Sequence, residues 1–458
     1  MAQAMPRDLH CERGNGFTGA DPLLCYPHRA RSAPSAMNTP ASRPYLITFV
    51  GANPYTELKY RIGEHVTEPS CYFNVQLARF LGCGTVISVE TKAATAKHGK
   101  DLEAALGSAG IEYQRAEIPD GKSETEIWEI FEALTARVPE NAELFLDITN
   151  GFRSLPVLGF IALSYLRVTR RVTIGGVYYG AFDAKDPETG IAPAFELTPF
   201  LTLLDWTAAA DQFFQTGDAG RLGQLLGETQ QTLWQQRRAG EEGGDLPTKL
   251  KTLGNSISVA SDNLRLLRST LLRSGAETLA RHLEDVRAIQ NAADHARPFL
   301  ELLAPVKDQL TRFDSQDLET LRDLAGWLAE RNQNAAALTL ANEWLINYAI
   351  HVCSGTAAEA GHRKRSPFAA ALAVLDGSVG EDKVCEEEPR GGEVRGILET
   401  LRRKMAPDHL NVLGTTSSRV RTARNDLNHA GFGASPGPAA SLRRAASEVV
   451  EALRALSL

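Results

Sequence analysis

The sequence predicts an α/β domain built on a doubly wound parallel sheet, followed by an all-α domain. Three observations predict it. Between about residues 45 and 200, short runs rich in β-branched and aromatic residues alternate with segments of helical spacing. Beyond about residue 200 the strand signal stops and helical periodicity takes over. The length, 458 residues, is about three average domains, and a composition 43% hydrophobic and 23% charged suits packed cores.

The strand-like runs are 45–50, 85–89, 111–118, 143–149 and 172–179, and helical spacing covers 72–81, 97–109, 123–137 and 154–169 between them. Such a βαβ alternation makes the strands parallel and puts helices on the sheet faces. Sheets of this kind bind ligands beyond the carboxyl ends of their strands, which directs attention to the loops after Val50 and Thr149. In the second half, helices are expected at 200–215, 246–274, 276–291, 317–330, 335–351 and 440–456, with 324–349 fitting a helical hairpin. Gly/Glu-rich stretches at 239–245 and 377–392 read as polar loops. The first residues are rich in Pro, Ala and Arg, without the apolar stretch of a secretory signal, and Met37 offers a second start. The expected organisation is a disordered or misassigned extension over 1–43, an α/β domain over 44–204, and an all-α domain with a helical insertion over 205–458.

Composition narrows the function. The six cysteines (Cys11, Cys25, Cys71, Cys83, Cys353 and Cys385) form no C-x-x-C pair and no Cys/His cluster, so neither a disulfide framework nor a zinc site is expected, and a reducing cytoplasm is the expected compartment. No apolar run approaches the roughly 20 residues that span a bilayer, so no membrane partner is expected. A net charge of −7 disfavours wholesale attraction to nucleic acid; any such partner must be met in a local groove. Gly121-Lys122-Ser123 lacks the leading glycine of a phosphate-binding loop, having Ala116 there, and Ser123 with Glu126 reads as a helix-capping box. Gly82-Cys83-Gly84 runs into a strand instead of following one. Acidic residues are plentiful but unpatterned, so no metal or other cofactor is expected.

Two stretches carry chemistry. The first, Asp147-Ile148-Thr149-Asn150-Gly151-Phe152-Arg153-Ser154, lies where the fourth strand turns into its helix. Asp147 and Thr149 offer hydrogen bonds to a ligand or to the loop itself, Gly151 permits close backbone approach, and Arg153 with the free N–H groups of the helix start favours an anion. A plain strand-to-helix turn capped by Ser154 remains the alternative. The second, Arg424-Asn425-Asp426-Leu427-Asn428-His429 before Gly431, reads as the last turns of a helix. Asn425 and His429 share a face, whereas Arg424 and His429 lie about 140° apart around the axis, so one helix does not present both groups together.

The first stretch resembles the Asp-x-Thr-His-Gly-Phe-Arg signature of CRISPR-associated Rossmann-fold (CARF) sensors, with Asn150 at the histidine position; an amide still donates and accepts hydrogen bonds. Tyr45-Leu46-Ile47-Thr48-Phe49-Val50, then Gly51, Ala52 and Asn53, resembles that family's first strand and glycine loop, and 56–61 the strand that follows. Arg-Asn-x-x-x-His-Ala-Gly at 424–431 resembles the active-site motif of HEPN ribonucleases. The order CARF then HEPN is similar to the ancillary ribonucleases of type III CRISPR systems.

The resemblance implies a Rossmann-like domain that binds a cyclic oligoadenylate through Gly51, Ala52, Asn53, Asp147, Thr149, Asn150, Gly151, Phe152, Arg153 and Ser154, the cyclic tetra-adenylate being preferred and the hexamer second. It implies a homodimer or higher oligomer that cleaves single-stranded RNA without metal, by 2′-hydroxyl attack, using Arg424, Asn425 and His429. Two alternatives stay open: a ligand-binding regulator that cuts nothing, and a ring nuclease whose α/β half degrades the cyclic oligoadenylate.

Overall fold

The computed structural model describes residues 43–151, 154–238, 249–288, 297–355, 362–386, 391–429 and 437–456. The expected extension, apart from residue 43, and the expected polar loop at 239–245 lie outside the described residues. The chain divides into two compact units, Met1–Phe195 and Glu196–Leu458.

The first unit contains β1 (Tyr45–Val50), β2 (Lys59–Ile62), β3 (His65–Val66), α1 (Phe73–Phe80), β4 (Thr85–Thr91), α2 (Lys92–Ser108), β5 (Glu112–Ile118), α3 (Glu124–Ala136), β6 (Glu143–Asp147), α4 (Ser154–Thr169) and β7 (Thr173–Gly180), and β8 (Ile191–Glu196) runs to its edge. The strands form one sheet of order β3-β2-β8-β7-β6-β1-β4-β5, mostly parallel. β1 and β4 are buried along almost their whole length, as strands covered on both faces must be. The chain adds β4 and β5 on one side of β1, then crosses back to add β6 and β7 on the other. That reversal puts a topological switch point between β1 and β6, paired in parallel with Thr48 opposite Asp147. Ser123 accepts from the Glu126 N–H at 3.2 Å and caps α3, as the sequence predicts.

β3 and β8 had no sequence signal. β3 has two residues, below any readable alternation, and β8 carries Pro193, which weakens a strand signature.

The second unit is helical throughout its described residues: α5 (Thr198–Thr216), α6 (Gly220–Arg238), α7 (Leu250–Arg265), α8 (Leu272–Ala288), α9 (Arg297–Thr311), α10 (Leu318–Glu330), α11 (Asn334–Ser354), α12 (His362–Leu375), α13 (Glu381–Cys385), α14 (Gly391–Lys404), α15 (Pro407–Asn428) and α16 (Ala439–Ala455). The domain boundary expected at 204 falls within α5, a continuous helix of the second unit. The single helix expected over 246–274 is two: Leu267 at φ 56° and a 3-10 turn, Ser269–Leu271, separate α7 from α8. The expected polar loop at 377–392 holds α13 and the start of α14; five residues are too few to show helical period, yet Cys385 is buried. The expected hairpin over 324–349 is α10 packed on α11.

α15 packs on α11, α12 and α16. Trp344 anchors this core, fully buried and donating from Nε1 to the Leu318 carbonyl at 2.6 Å. A polar clamp fixes α15 at mid-length. The Asp376 carboxylate, its side chain 1% exposed, accepts from Arg421 at 2.6 Å and from Ser417 Oγ at 3.0 Å. Asp376→Ala strands these donors and the Ser378 N–H and hydroxyl that bond the same carboxylate, so the unfolding free energy should fall by about 1–3 kcal/mol. Urea unfolding checks this, and Asp376→Asn should lose less.

Candidate functional site

The loop after β1 is held residue by residue. Gly51 N–H donates to Tyr55 Oη at 2.8 Å, and that hydroxyl donates back to the Gly51 carbonyl at 3.3 Å. Burial pushes the Tyr55 phenol up to about 12, so it stays neutral and does both. Lys97 Nζ donates to the Ala52 carbonyl at 2.9 Å. His98, buried and stacked on Tyr55 with ring centroids 4.5 Å apart, brings Nε2 to 2.8 Å from the Asn53 carbonyl. α2, opened by the Thr91 cap, supplies both Lys97 and His98.

The loop after β6 is held from below. Asp147 is fully buried, and its carboxylate accepts from Thr48 Oγ1 at 2.7 Å and the Thr149 N–H at 2.9 Å. Burial raises the Asp147 carboxyl above its ordinary range, opposed by the hydrogen bonds from Thr149 and Thr48. Thr149 Oγ1 in turn accepts from the Gly180 N–H at 2.8 Å, joining the loop to β7. Gly151 has φ 115°, and a Cβ there would fall 2.9 Å from Leu155 Cδ1 and 3.0 Å from Phe49 Cβ.

These loops border a cleft of about 540 Å³ at the carboxyl ends of the strands. Gly51, Ala52, Asn53, Thr149, Asn150 and Gly151 line it. Asp147 does not; it braces the loop from beneath. Ser154 is the exposed first residue of α4 and does not line the cleft, while Phe152 and Arg153 lie outside the described residues. Sequence reasoning missed the rings of Tyr55, Tyr60, Tyr179 and Phe182, which also line it. Tyr179 is the penultimate residue of β7 and Phe182 lies two residues beyond it, so the strand-end rule, applied to every strand, would have found them. Aromatic walls with exposed loop backbone suit a flat, polar ring system.

In the second unit a groove of about 720 Å³ runs between α15 and α16. Asn425 and His429 line it together, one helical turn apart. His429 caps α15, its N–H donating to the Asn425 carbonyl at 3.0 Å. Arg424 is half-buried and stands off the groove, as its angular offset demands. Gly431 lies outside the described residues. Sequence reasoning missed Thr415, Ser418, Thr422 and Asp426, which line the groove on the Asn425/His429 side at helical spacing. Arg419 also lines it and is paired with Glu448 at 3.3 Å.

An apolar stripe follows the start of α4. Val157 (60% exposed), Ile161 (52%), Tyr165 (48%) and Val168 (82%) stand at three- and four-residue intervals, and Trp128 on α3 is 69% exposed. Phe131 bridges the two helices, packed edge to face on Tyr165 with ring centroids 5.3 Å apart. Among the described residues no group of three His, Cys, Asp or Glu is placed to hold a metal, and no helix is long and apolar enough to cross a membrane.

No protein-family profile matches the chain. A stretch of 109 residues, 23% of the chain, is 33% identical to the CRISPR-associated protein MJ1674 of Methanocaldococcus jannaschii, of whose length the chain covers 17%.

Asp147→Ala leaves the Thr48 hydroxyl and the Thr149 N–H without their acceptor, at a cost of about 1–3 kcal/mol. The raised Asp147 carboxyl also gives a pH signature. A group with a raised folded-state pKa contributes stability that is full below its unfolded pKa and lost as pH rises through the folded value. Wild type should therefore gain stability relative to Asp147→Asn as the pH falls into the carboxylate range; urea unfolding across that range checks the sign.

Proposed function

We propose that this protein is a cyclic oligoadenylate-activated endoribonuclease of type III CRISPR defence, working as a homodimer or higher oligomer. The observation that carries the reading is the joint opening of Asn425 and His429 onto one groove of the helical unit. The strand-end cleft of the α/β unit, with its aromatic walls and Gly51 and Gly151 loops, supports a sensor for an adenine-bearing ring. The similarity of part of the chain to a CRISPR-associated protein supports the biological setting.

The chemistry needs no metal or other cofactor. The 2′-hydroxyl of single-stranded RNA attacks the adjacent phosphorus, the bond to the 5′ oxygen of the next nucleotide breaks, and a 2′,3′-cyclic phosphate and a 5′-hydroxyl result. His429 moves the proton, Asn425 orients His429 across one turn, and Arg424 stabilises the charge on the phosphoryl oxygens. Because Arg424 stands off the groove of its own chain, the reading requires a second copy of the motif to complete the site. The α4 stripe offers an apolar face for that second copy. The ring, bound across two α/β units, would favour the active arrangement by binding it more tightly.

The offset of Arg424 also favours a second reading: a ligand-binding regulator that cuts nothing, in which Arg424 and His429 are dispensable.

Labelled RNA mixed with the purified protein in a chelator, with and without cyclic tetra- and hexa-adenylate, separates the two. We expect ring-dependent cleavage with cyclic-phosphate ends, no cutting of DNA, and losses of about 10²–10⁴-fold in His429→Ala and Arg424→Ala. No cleavage with either ring, or wild-type cleavage by His429→Ala, overturns the ribonuclease reading. Ile161→Glu places a charge in the apolar stripe and should shift the species to monomer in light scattering, with cleavage lost alongside. Gly151→Val should raise the ring concentration needed for half-maximal cleavage.

A further inference from the structure

Several side chains lining the groove beside His429 offer hydrogen-bond acceptors. The hydroxyl of Thr415 donates to the Asn411 carbonyl at 2.8 Å, that of Thr422 to the Ser418 carbonyl at 2.9 Å, and that of Ser441 to the Pro438 carbonyl at 2.7 Å. Each proton is thus spent on a backbone carbonyl, which leaves each oxygen its lone pairs to accept with. The one cation lining the groove among the described residues, Arg419, is held by Glu448. Asp426 adds a carboxylate three residues before His429, on the same side of α15, with no hydrogen bond or ion pair to any described residue.

That carboxylate sits in the last turn of α15, a turn with no basic residue, where the helix dipole disfavours a negative charge. What the groove receives are groups rich in N–H and O–H donors: ribose hydroxyls and the donor edges of nucleobases. Among the four RNA bases, only guanine presents two neighbouring donors, N1–H and N2–H, on its Watson–Crick edge. Adenine and cytosine present one donor beside an acceptor, and uracil one donor between two acceptors. A carboxylate therefore pairs bidentately with guanine alone.

We propose that Asp426 is a specificity-determining residue that reads guanine at a nucleotide flanking the cleaved bond, with the Thr415 and Thr422 oxygens accepting from ribose hydroxyls alongside it. The inference rests on the ribonuclease reading of the same groove. It goes further by assigning base choice to a residue outside the Arg424/Asn425/His429 set.

The test uses the full-length protein with activating ring and four RNAs, each a uridine tract carrying G, A, C or U at one central position. Wild type should cut next to guanosine about 10- to 100-fold faster than next to the other bases, the span expected for one bidentate base contact. Asp426→Asn, whose amide offers one acceptor and one donor, should lose that advantage and favour adenosine or cytidine. Asp426→Ala should cut all four RNAs at similar rates. A merely structural Asp426 would instead lower all four rates together and leave their ratios unchanged, which overturns the proposal, as does a wild type without preference for guanosine. If wild type cuts none of the RNAs with either ring, the ribonuclease reading fails, and base reading fails with it. Cleavage without base preference overturns the base reading alone.

Discussion

The α/β unit depends on one buried carboxylate. Asp147 ends β6 directly opposite Thr48 of β1, and the hydrogen bond between them closes the gap at which the strand order reverses. The same carboxylate accepts the Thr149 N–H, so a single group ties the end of β6 to the neighbouring strand β1 and to the start of the loop that leads to α4. A charge buried this fully is costly unless its oxygens are satisfied, and the raised carboxyl reflects that cost. The cleft exists because this brace sets the β6 loop against the β1 loop: an added Cβ on Gly51 would lie 3.9 Å from the Gly151 nitrogen.

The β1 loop follows a complementary logic. Its backbone is held from outside, by Tyr55 within the loop and by Lys97 and His98 from α2, so the carbonyls of Gly51, Ala52 and Asn53 all have partners. Satisfied carbonyls leave the loop preorganised, which lowers the ordering cost of any ligand that binds there. Both loops are thus shaped by side chains that do not themselves need to touch a ligand, Asp147 on one side and Lys97 with His98 on the other.

The helical unit places its groove by different means. α15 is packed chiefly on α11, α12 and α16 and clamped at mid-length by Asp376, so its final turns emerge with a fixed rotational phase. Phase decides which residues share the groove. Residues three and four apart from Asn425 and His429 face it, and Arg424 faces elsewhere. Arg424 and His429 of one chain therefore do not meet in this groove.

The sequence by itself determined the βαβ alternation, the limits of β1, the start of α4, the α10–α11 hairpin and the two loops that border the cleft, because strand and helix periods are written in neighbouring residues. Elements that escaped it include β3, β8, α13 and the break between α7 and α8, where too few residues repeat to show a period, and also the longer α6, α9, α12 and α14, of which α9 and α12 carry an interior proline. It also placed Asp147 and Thr149 in one motif without dividing their roles. Only the tertiary structure decided that Asp147 braces while Thr149 lines, since the partner of Asp147 is 99 residues away and that of Thr149 is 31. The aromatic walls of the cleft and the acceptor face of the groove were likewise decided by tertiary structure, because which side of an element meets a cavity depends on what packs against its other side.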